Sequence, residues 1–309
     1  TANNGIVVIL DCSGSMYDHK VPGKPRPAAE ELRTSPDTRF HVAKESLSRM
    51  LGQIPENTQV SIWTFSQMLG APRPARSDRG EPFLTPTGGD EMGRVYDTIR
   101  PLVPMGPWSA ARAQVAKKQI DNLVAYNDTP LVRAILKARE DLRDVKGYKT
   151  IIVLTDGKDN RIKDDKESNP NGEGIPALLA REFGSNSAFK DIKLVILGFQ
   201  LPQSEKAEAE REFKEPLKKL LEPGDFILVD QQDELDRILR EACKRELRFK
   251  LQDATTGQDV PLKLKPLVEQ TGRKDPARHE LRAGSYRVVI QDFRQAFELG
   301  GGEHLLLDV

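Results

Sequence analysis

The sequence has no net charge and no long apolar run, and both absences narrow the classes of function to consider. Its 47 lysines and arginines are balanced by 47 aspartates and glutamates. The main electrostatic reason to expect nucleic acid or an anionic membrane as a partner is therefore missing. No apolar run approaches the ~20 residues that cross a bilayer, so we expect no membrane span in this chain.

Cysteines and histidines are few and form no metal-binding or redox motif. The two cysteines, Cys12 and Cys243, lie far apart in the sequence, which favours buried free thiols over a disulfide. The four histidines are scattered without the spacing of metal ligands. The chain begins at Thr1 with no visible signal sequence, so we expect an excised or processed piece and leave its compartment open.

The common enzyme motifs are missing as well. The sequence contains no Walker A loop of the form G-x-x-x-x-G-K-[ST], no G-x-G-x-x-G after a strand and no G-x-S-x-G nucleophile elbow. We therefore expect no catalytic residues, and a binding protein rather than an enzyme.

What is present indicates a globular α/β protein. The chain has 309 residues, 38% of them hydrophobic and 30% charged, which is typical of one large domain with a smaller one. Short, wholly apolar runs predict strands buried on both faces, as in parallel sheets. These strands are expected at 6–10, 151–154, 194–197 and 226–229, with a half-alternating one at 60–65. Helical patterns separate them at 39–52, 129–145, 204–221 and 233–247. The alternation predicts a doubly wound, mostly parallel sheet.

Two proline-rich stretches interrupt this alternation. Residues 17–37 are predicted to form an exposed loop, and residues 67–94 a second long excursion. Loops of this length in a compact domain are either functional or disordered.

The pattern changes after about residue 246 to short strand-like runs separated by turns. The runs lie at 248–251, 262–264, 286–290 and 305–307. We therefore predict one domain at 1–245, followed by a small antiparallel, sandwich-like β module at 246–309.

A D-x-S-x-S turn follows the first predicted strand. It supplies one carboxylate, Asp11, and two hydroxyls, Ser13 and Ser15, which a tight turn can direct at a single centre. Gly14 permits a sharp backbone path. Ligands of doubly wound sheets bind at the carboxyl ends of the strands, so the turn stands where a binding site is expected.

Two further segments bring oxygen atoms to the same edge. Asp156 directly follows the predicted strand at 151–154, and Gly157 comes after it. Thr129 stands at the entrance of the preceding helix, where it is also a predicted N-cap before Pro130. Three distant segments therefore deliver two carboxylates and three hydroxyls to one edge of the sheet.

These segments together resemble the metal-ion-dependent adhesion site of the von Willebrand factor A family. In that family a D-x-S-x-S turn, a T-P-L threonine and a T-D-G aspartate hold the ion, and residues 11–15, 129–131 and 155–157 match them. The resemblance covers about residues 4–245. It implies a sheet of six strands with one of them antiparallel, which we place near 98–103.

The resemblance also implies a cofactor and a partner. An all-oxygen site suits Mg²⁺, with Mn²⁺ or Ca²⁺ as alternatives, and is wrong for zinc. By analogy with the family, Ser13 and Ser15 ligate directly, Thr129 directly or through water, and Asp11 and Asp156 largely through water. Neutral hydroxyls leave the charge of the ion poorly quenched, so an exposed Asp or Glu of a protein or peptide partner would complete the shell.

Each segment has a simpler structural interpretation too. Residues 11–15 would form a capped strand-to-helix turn, Thr129 a helix N-cap, and Asp156 a turn aspartate. The match of all three segments favours the metal site. The aspartates that follow in the charged loop are interpreted as solvated: Asp159, Asp164 and Asp165.

Other functions remain open for the same residues. A metal-assisted hydrolase would use a Mg²⁺-bound water, with Asp156 as the nominated base, and a rigid scaffold or assembly domain would need no turnover.

The helix at 233–247 runs into the β module without a Gly/Ser linker. In relatives such as integrin inserted domains the last helix shifts on ligand binding, so coupling between the site and residues 248–309 is a further hypothesis.

Overall fold

The computed structural model describes residues 4–87, 98–157, 159–220 and 224–243, together with four strands between residues 250 and 299. Contacts between Cα atoms divide the chain into two compact units, Ala2–Arg245 and Glu246–Val309. Each unit is described by itself.

The first unit is built on a six-stranded sheet and a separate two-stranded sheet. Its strands are β1 (Gly5–Asp11), β2 (Gln59–Phe65), β3 (Pro72–Arg76), β4 (Pro82–Pro86), β5 (Ile99–Pro107), β6 (Lys149–Thr155), β7 (Ile192–Phe199) and β8 (Asp225–Val229). The large sheet has the order β5-β2-β1-β6-β7-β8. Only β5 runs antiparallel to its neighbour, β2, while the other adjacent pairs are parallel. The predicted fold class is confirmed, and so is the antiparallel strand near 98–103.

Helices cover both faces of this sheet. They are α1 (Arg39–Leu51), α2 (Ala110–Asp121), α3 (Leu131–Ala138), α4 (Ile175–Phe183), α5 (Gln203–Ala209), α6 (Glu215–Lys218) and α7 (Gln232–Cys243). Short 3₁₀ turns lie at Gly14–Tyr17 and Arg139–Leu142, and a π-helical turn at Glu210–Lys214 joins α5 to α6.

Alternation along β1 divides the core into two layers. Every residue of β1 is buried, as expected for a central parallel strand. Val8 and Leu10 pack with the apolar side chains of α1, α2 and α7, whereas Val7 and Ile9 pack with those of α3, α4 and α6. Successive side chains of a strand point to opposite faces, so this one segment anchors both helix layers.

Helices α2 and α4 were not predicted from the sequence pattern, and one predicted helix is interrupted. Helix α2 buries small residues, Ala113 and Ala116, with Ile120 as the only large one, so its apolar periodicity is weak. The predicted helix at 204–221 passes through a π-helical turn just before Pro216. Proline has no amide N–H to donate within a helix, which disrupts the regular α-helical ladder.

The two insertions are more ordered than predicted. The expectation that residues 17–37 form an exposed loop is wrong in part, because Leu32 is only 1% exposed and belongs to the core. Residues 67–87 contain the β3–β4 hairpin, whose Leu84 is also buried. Arg26 of the first insertion donates from Nη1 to the carbonyl oxygen of Pro82 at 3.2 Å, so the two insertions touch. Residues 88–94 lie outside the described residues.

The second unit contains a four-stranded antiparallel sheet in the order β10-β9-β11-β12, formed by β9 (Lys250–Asp253), β10 (Asp259–Val260), β11 (Gly284–Ile290) and β12 (Phe293–Leu299). The predicted runs at 248–251 and 286–290 overlap β9 and β11. The runs at 262–264 and 305–307 lie outside the described residues, and the sandwich-like arrangement stays a prediction.

In the part of the chain that the structure describes, no helix has both the length and the apolar character that a membrane crossing requires.

Phe40 tests how strongly α1 is held against the sheet. Its side chain is 1% exposed, and its ring meets the ring of Tyr17 edge-on at a centroid distance of 5.6 Å. We expect Phe40→Ala to lower the free energy of unfolding by about 3–5 kcal/mol, since it leaves a cavity. The matched control is Val115→Ala at a 56% exposed position, with an expected change within about 0.5 kcal/mol. Urea unfolding measures both, and equal effects would contradict the packing described.

Candidate functional site

The candidate site lies where β1 and β6 end side by side. The chain leaves β1 towards β2 on one side, and β6 pairs with β1 on the other, so the two strands form the topological switch point. Their register pairs Leu10 with Leu154, which places Asp11 beside Thr155. The Thr155 hydroxyl donates to Asp11 Oδ2 at 2.6 Å. Strand pairing therefore fixes the first carboxylate of the site.

Four of the five predicted site residues form one hydrogen-bonded cluster. The Ser13 backbone N–H donates to Asp11 Oδ1 at 2.6 Å, which tightens the turn after β1. The Ser13 and Ser15 hydroxyl oxygens are 3.1 Å apart, and Ser15 donates to Asp156 Oδ1 at 2.8 Å. The D-x-S-x-S turn and the aspartate after β6, 141 positions apart in sequence, thus meet directly.

The Thr129 segment is held against this cluster through its backbone. Ser13 forms a parallel bridge with Tyr126, and the Gly14 N–H donates to the Asn127 carbonyl oxygen at 2.9 Å. A Cβ atom on Gly157 would lie 3.8 Å from Thr129 Oγ1, so this hydroxyl is next to the Asp156 loop. Thr129 lies beside the cluster, without a hydrogen bond from its hydroxyl to the other four residues in the described part of the chain.

The prediction that Thr129 caps the helix after it is wrong. Helix α3 begins at Leu131 with Pro130 at the cap position and no side-chain cap. The Val132 N–H donates instead to Asp159 Oδ2 at 2.7 Å, so a carboxylate from another segment satisfies the first turn. The Thr129 hydroxyl is consequently not needed for capping.

Two of the loop aspartates predicted to be solvated are buried. Asp159 is 8% exposed and accepts hydrogen bonds from the N–H groups of Arg161 and Ile162 as well as Val132. Burial nevertheless raises the pKa of Asp159 to about 6. Asp165 is 9% exposed, and only Asp164 is exposed as predicted. Backbone N–H groups of the folded loop replace water as hydrogen-bond donors to these carboxylates. The charged sequence of the loop does not reveal that two of its aspartates are buried.

The site concentrates negative charge in a dry environment. Asp11 and Asp156 are 0% and 1% exposed. Burial raises the pKa of Asp11, and burial together with the charge of Asp11 raises the pKa of Asp156 to about 7. The Arg39 guanidinium opposes this shift by donating to Asp156 Oδ2 at 3.0 Å. One buried cation therefore pairs with one of the two buried carboxylates.

This donor set fits a hard divalent cation. All of its side-chain donors are oxygens, which suits Mg²⁺, Mn²⁺ or Ca²⁺. Cys12, within the turn, belongs to the core packed against α1, and its Sγ lies 3.8 Å from the Leu10 carbonyl oxygen. Among the described residues, no group of three or more His, Cys, Asp or Glu side chains is placed to hold a metal. A site of two carboxylates and three hydroxyls has too few of those residue types to form such a group.

Sequence reasoning missed two residues that support the site. Arg39 contacts Asp156 although 117 positions separate the two residues in the sequence. One sequence feature could have indicated a special role for Arg39: it is a cation at the first residue of a helix, where the helix dipole disfavours positive charge. Ser66, after β2, donates its hydroxyl to the Asp128 carbonyl oxygen next to Thr129. Its φ of 58° is uncommon for a residue other than glycine.

Comparisons with known proteins show similarity only at the level of solved structures. No family model matches the sequence, and no curated protein matches it. A von Willebrand factor type A protein from Catenulispora acidiphila is 15% identical with a TM-score of 0.48, over 97% of this chain and 65% of that one. The PilB minor pilin from Streptococcus sanguinis is 13% identical with a TM-score of 0.48, over 79% of this chain and 61% of that one.

A third similar structure is proximal thread matrix protein 1 from the mussel byssus, described with a zinc-occupied MIDAS motif. It is 15% identical with a TM-score of 0.41, over 78% of this chain and 45% of that one. This chain thus spans at most 65% of the length of the three proteins. All three TM-scores are below 0.5, and the interpretation of the site rests on its own geometry.

Gly14 tests the close approach of the turn to the Thr129 segment. A Cβ atom at Gly14 would lie 3.2 Å from the Tyr126 carbonyl oxygen, so the two segments would have to separate. We expect Gly14→Ala to weaken the Gly14–Asn127 hydrogen bond and lower the unfolding free energy by about 1 kcal/mol. The control is Gly52→Ala, whose nearest new contact is an ordinary 3.5 Å. Urea unfolding compares the two, and a silent Gly14→Ala would refute the close approach.

The raised pKa of Asp156 predicts a pH dependence of stability in chelator. Its folded-state pKa is about 7, against an ordinary 3.8, so between these values the folded state binds a proton that the unfolded state has released. The unfolding free energy should then decrease as pH rises through this window. Asp156→Asn should remove this contribution. Urea unfolding in EDTA from pH 4.5 to 7.5 measures the difference, and parallel curves for the two proteins would contradict it.

Proposed function

We propose that the edge formed by β1 and β6 holds one divalent cation, Mg²⁺ first, with Mn²⁺ or Ca²⁺ as alternatives, and uses it to capture an acidic side chain of a protein or peptide partner. The ligands would be Asp11, Ser13, Ser15, Thr129 and Asp156. The observation that carries the proposal is the hydrogen bond of Ser15 to Asp156 within a cluster of two buried carboxylates. Arg39 pairs with only one of these carboxylates, and burying the second negative charge is costly without a further cation.

The hydroxyl and carboxylate groups have different roles in this proposal. Ser13 and Ser15 would bind the ion directly as neutral ligands, and Thr129 directly or through water. Both oxygens of Asp11 already accept hydrogen bonds, from the Ser13 N–H and the Thr155 hydroxyl, which suits a role through water. When bound, the cation supplies an electrophilic position that a carboxylate can fill.

The exposure of the proposed ligands indicates that a partner would approach from the side of the turn after β1. Ser15 is half-buried, whereas Asp11, Ser13, Thr129 and Asp156 are almost fully buried. A partner would therefore approach on the side of Ser15, where the first insertion begins.

The two insertions lie beside this approach and are proposed to set partner choice. Asp18, three residues after Ser15, pairs with Arg26, and Arg26 also contacts the hairpin through Pro82. On β3, Arg73 and Arg76 are exposed and carry the charge that an acidic partner would favour. A deletion of residues 20–34 from the first insertion is not a clean test of its role in partner choice, because the deletion would also remove the buried Leu32 from the core.

A hydrolytic function has less support from the same geometry. The nominated base, Asp156, accepts a hydrogen bond from Ser15 on Oδ1 and from Arg39 on Oδ2. Both oxygens thus accept hydrogen bonds that stabilise the ionised carboxylate, and the Arg39 guanidinium opposes the protonation that a general base must undergo. Capture of a ligand without turnover needs no such step.

A titration with Mn²⁺ followed by electron paramagnetic resonance tests cation binding. We expect wild type to bind one ion, and Asp11→Ala to weaken binding by at least about tenfold, or 1.4 kcal/mol. The matched control is Asp164→Ala, an exposed residue of the neighbouring loop, which should bind as wild type does. Equal binding by all three proteins would exclude the site.

Peptide capture tests the partner class. Immobilised peptide pairs that differ only by Glu or Gln should be retained differently, with Mg²⁺-dependent binding of the Glu member alone. Loss in EDTA and in Asp11→Ala is expected. Retention that does not need the cation would favour a rigid scaffold, and metal-dependent release of product from ester or phosphate substrates would favour a hydrolase.

A further inference from the structure

Arg39 is a buried cation that contacts a proposed metal ligand. The residue is 7% exposed, and its Nη1 donates to Asp156 Oδ2 at 3.0 Å. The same Nη1 lies 3.9 Å from Asp18 Oδ2, the outer neighbour of the site. Asp18 is in turn paired with Arg26 through Oδ1. Arg39 therefore stands between the buried carboxylate and the rim of the site.

The position of Arg39 in its own helix gives no reason for a cation there. It is the first residue of α1, after Thr38, whose side chain accepts the His41 N–H at 3.1 Å. The first turn of α1 has no acidic residue, and the positive end of the helix dipole disfavours a basic side chain. The Arg39 Nε atom is also buried, and no hydrogen-bond partner for it lies among the residues that the structure describes. These costs are offset by the ion pair with Asp156, so the role of Arg39 lies at the site.

Arg39 and Ser15 donate hydrogen bonds to different oxygens of Asp156. Oδ2 accepts the guanidinium N–H, while Oδ1 accepts the Ser15 hydroxyl. With one oxygen held on each side, the carboxylate plane is fixed. The oxygen on the Ser15 side faces the other proposed ligands.

The guanidinium also changes the charge that the site presents. Asp11 and Asp156 contribute two negative charges when ionised, and the Arg39 guanidinium contributes one positive charge. A divalent cation then leaves the loaded cluster with one net positive charge. Without Arg39 the loaded cluster would be neutral.

We propose that Arg39 is a positioning residue that weakens cation binding at this site and strengthens capture of a carboxylate by the loaded site. This inference rests on the proposed function. The physical reason is that one fixed positive charge repels the entering cation and attracts the entering anion, at short range in a dry environment. A residue with a purely structural role would affect both steps in the same direction.

Two variants separate charge from shape. Arg39→Gln removes the charge and keeps a group that can donate to Asp156, whereas Arg39→Lys keeps the charge. Mn²⁺ binding is measured by electron paramagnetic resonance. Acetate binding to the Mn²⁺-loaded protein is measured by water-proton relaxation, since a carboxylate displaces metal-bound water.

We expect Arg39→Gln to bind Mn²⁺ about tenfold more tightly and acetate about tenfold more weakly than wild type. Arg39→Lys should remain close to wild type in both measurements. If the two affinities of Arg39→Gln change in the same direction, or neither changes, the inference is overturned. If wild type itself binds no Mn²⁺, the proposed function fails, which is a distinguishable result.

Asp18→Asn keeps the test open should Arg39→Gln fail to fold. The Asp18 side chain is 42% exposed and outside the proposed ligand set. Removing its negative charge leaves Arg39 less compensated, so the changes should have the opposite sign: weaker Mn²⁺ binding and tighter acetate binding, each by about two- to threefold because of solvent screening. Changes in the sense expected for Arg39→Gln would contradict the proposed role.

Discussion

The lateral pairing of β1 with β6 sets the geometry of the whole site. It holds Asp11 and Asp156 at the ends of two adjacent strands, where both carboxylates are removed from water. A buried carboxylate is stable only when hydrogen bonds or opposite charge replace its hydration. The Thr155 hydroxyl, the Ser13 N–H and the Ser15 hydroxyl supply the hydrogen bonds. Every other feature of the site serves to complete or to balance this pair.

Hydrogen bonds in which at least one partner is a backbone group hold the remaining segments together. The turn after β1 is held to residues 126–127 by the Ser13 bridge and the Gly14 hydrogen bond. The following helix, α3, is capped from outside by Asp159. The cap comes from the loop after β6, and the Thr129 N–H also donates to Asn160 Oδ1 of that loop at 2.8 Å, so the Thr129 segment and the Asp156 loop are held together. The proposed ligands thus lie on segments that are hydrogen-bonded to one another, as a preorganised binding site requires.

A chain of ion pairs leads from the site to its rim. Asp156, Arg39, Asp18 and Arg26 alternate in charge, and Arg26 reaches the hairpin at Pro82. The same contacts that balance the buried carboxylate therefore connect it to both insertions. In the proposed function this arrangement makes partner selection and ion affinity electrostatically dependent on each other.

The sequence predicted the α/β class, the positions of the five main strands and the oxygen-rich edge, because apolar β-branched runs and a turn motif are local properties. It also predicted the antiparallel strand through the family resemblance. The folded structure was needed to show that Asp159 is a buried cap, that Leu32 belongs to the core and that Arg39 balances Asp156. These facts depend on contacts between residues distant in sequence, where a charged or proline-rich pattern is equally compatible with exposure. The burial of a polar residue or of a residue in a proline-rich stretch depends on contacts made in the fold, and its local pattern does not encode them.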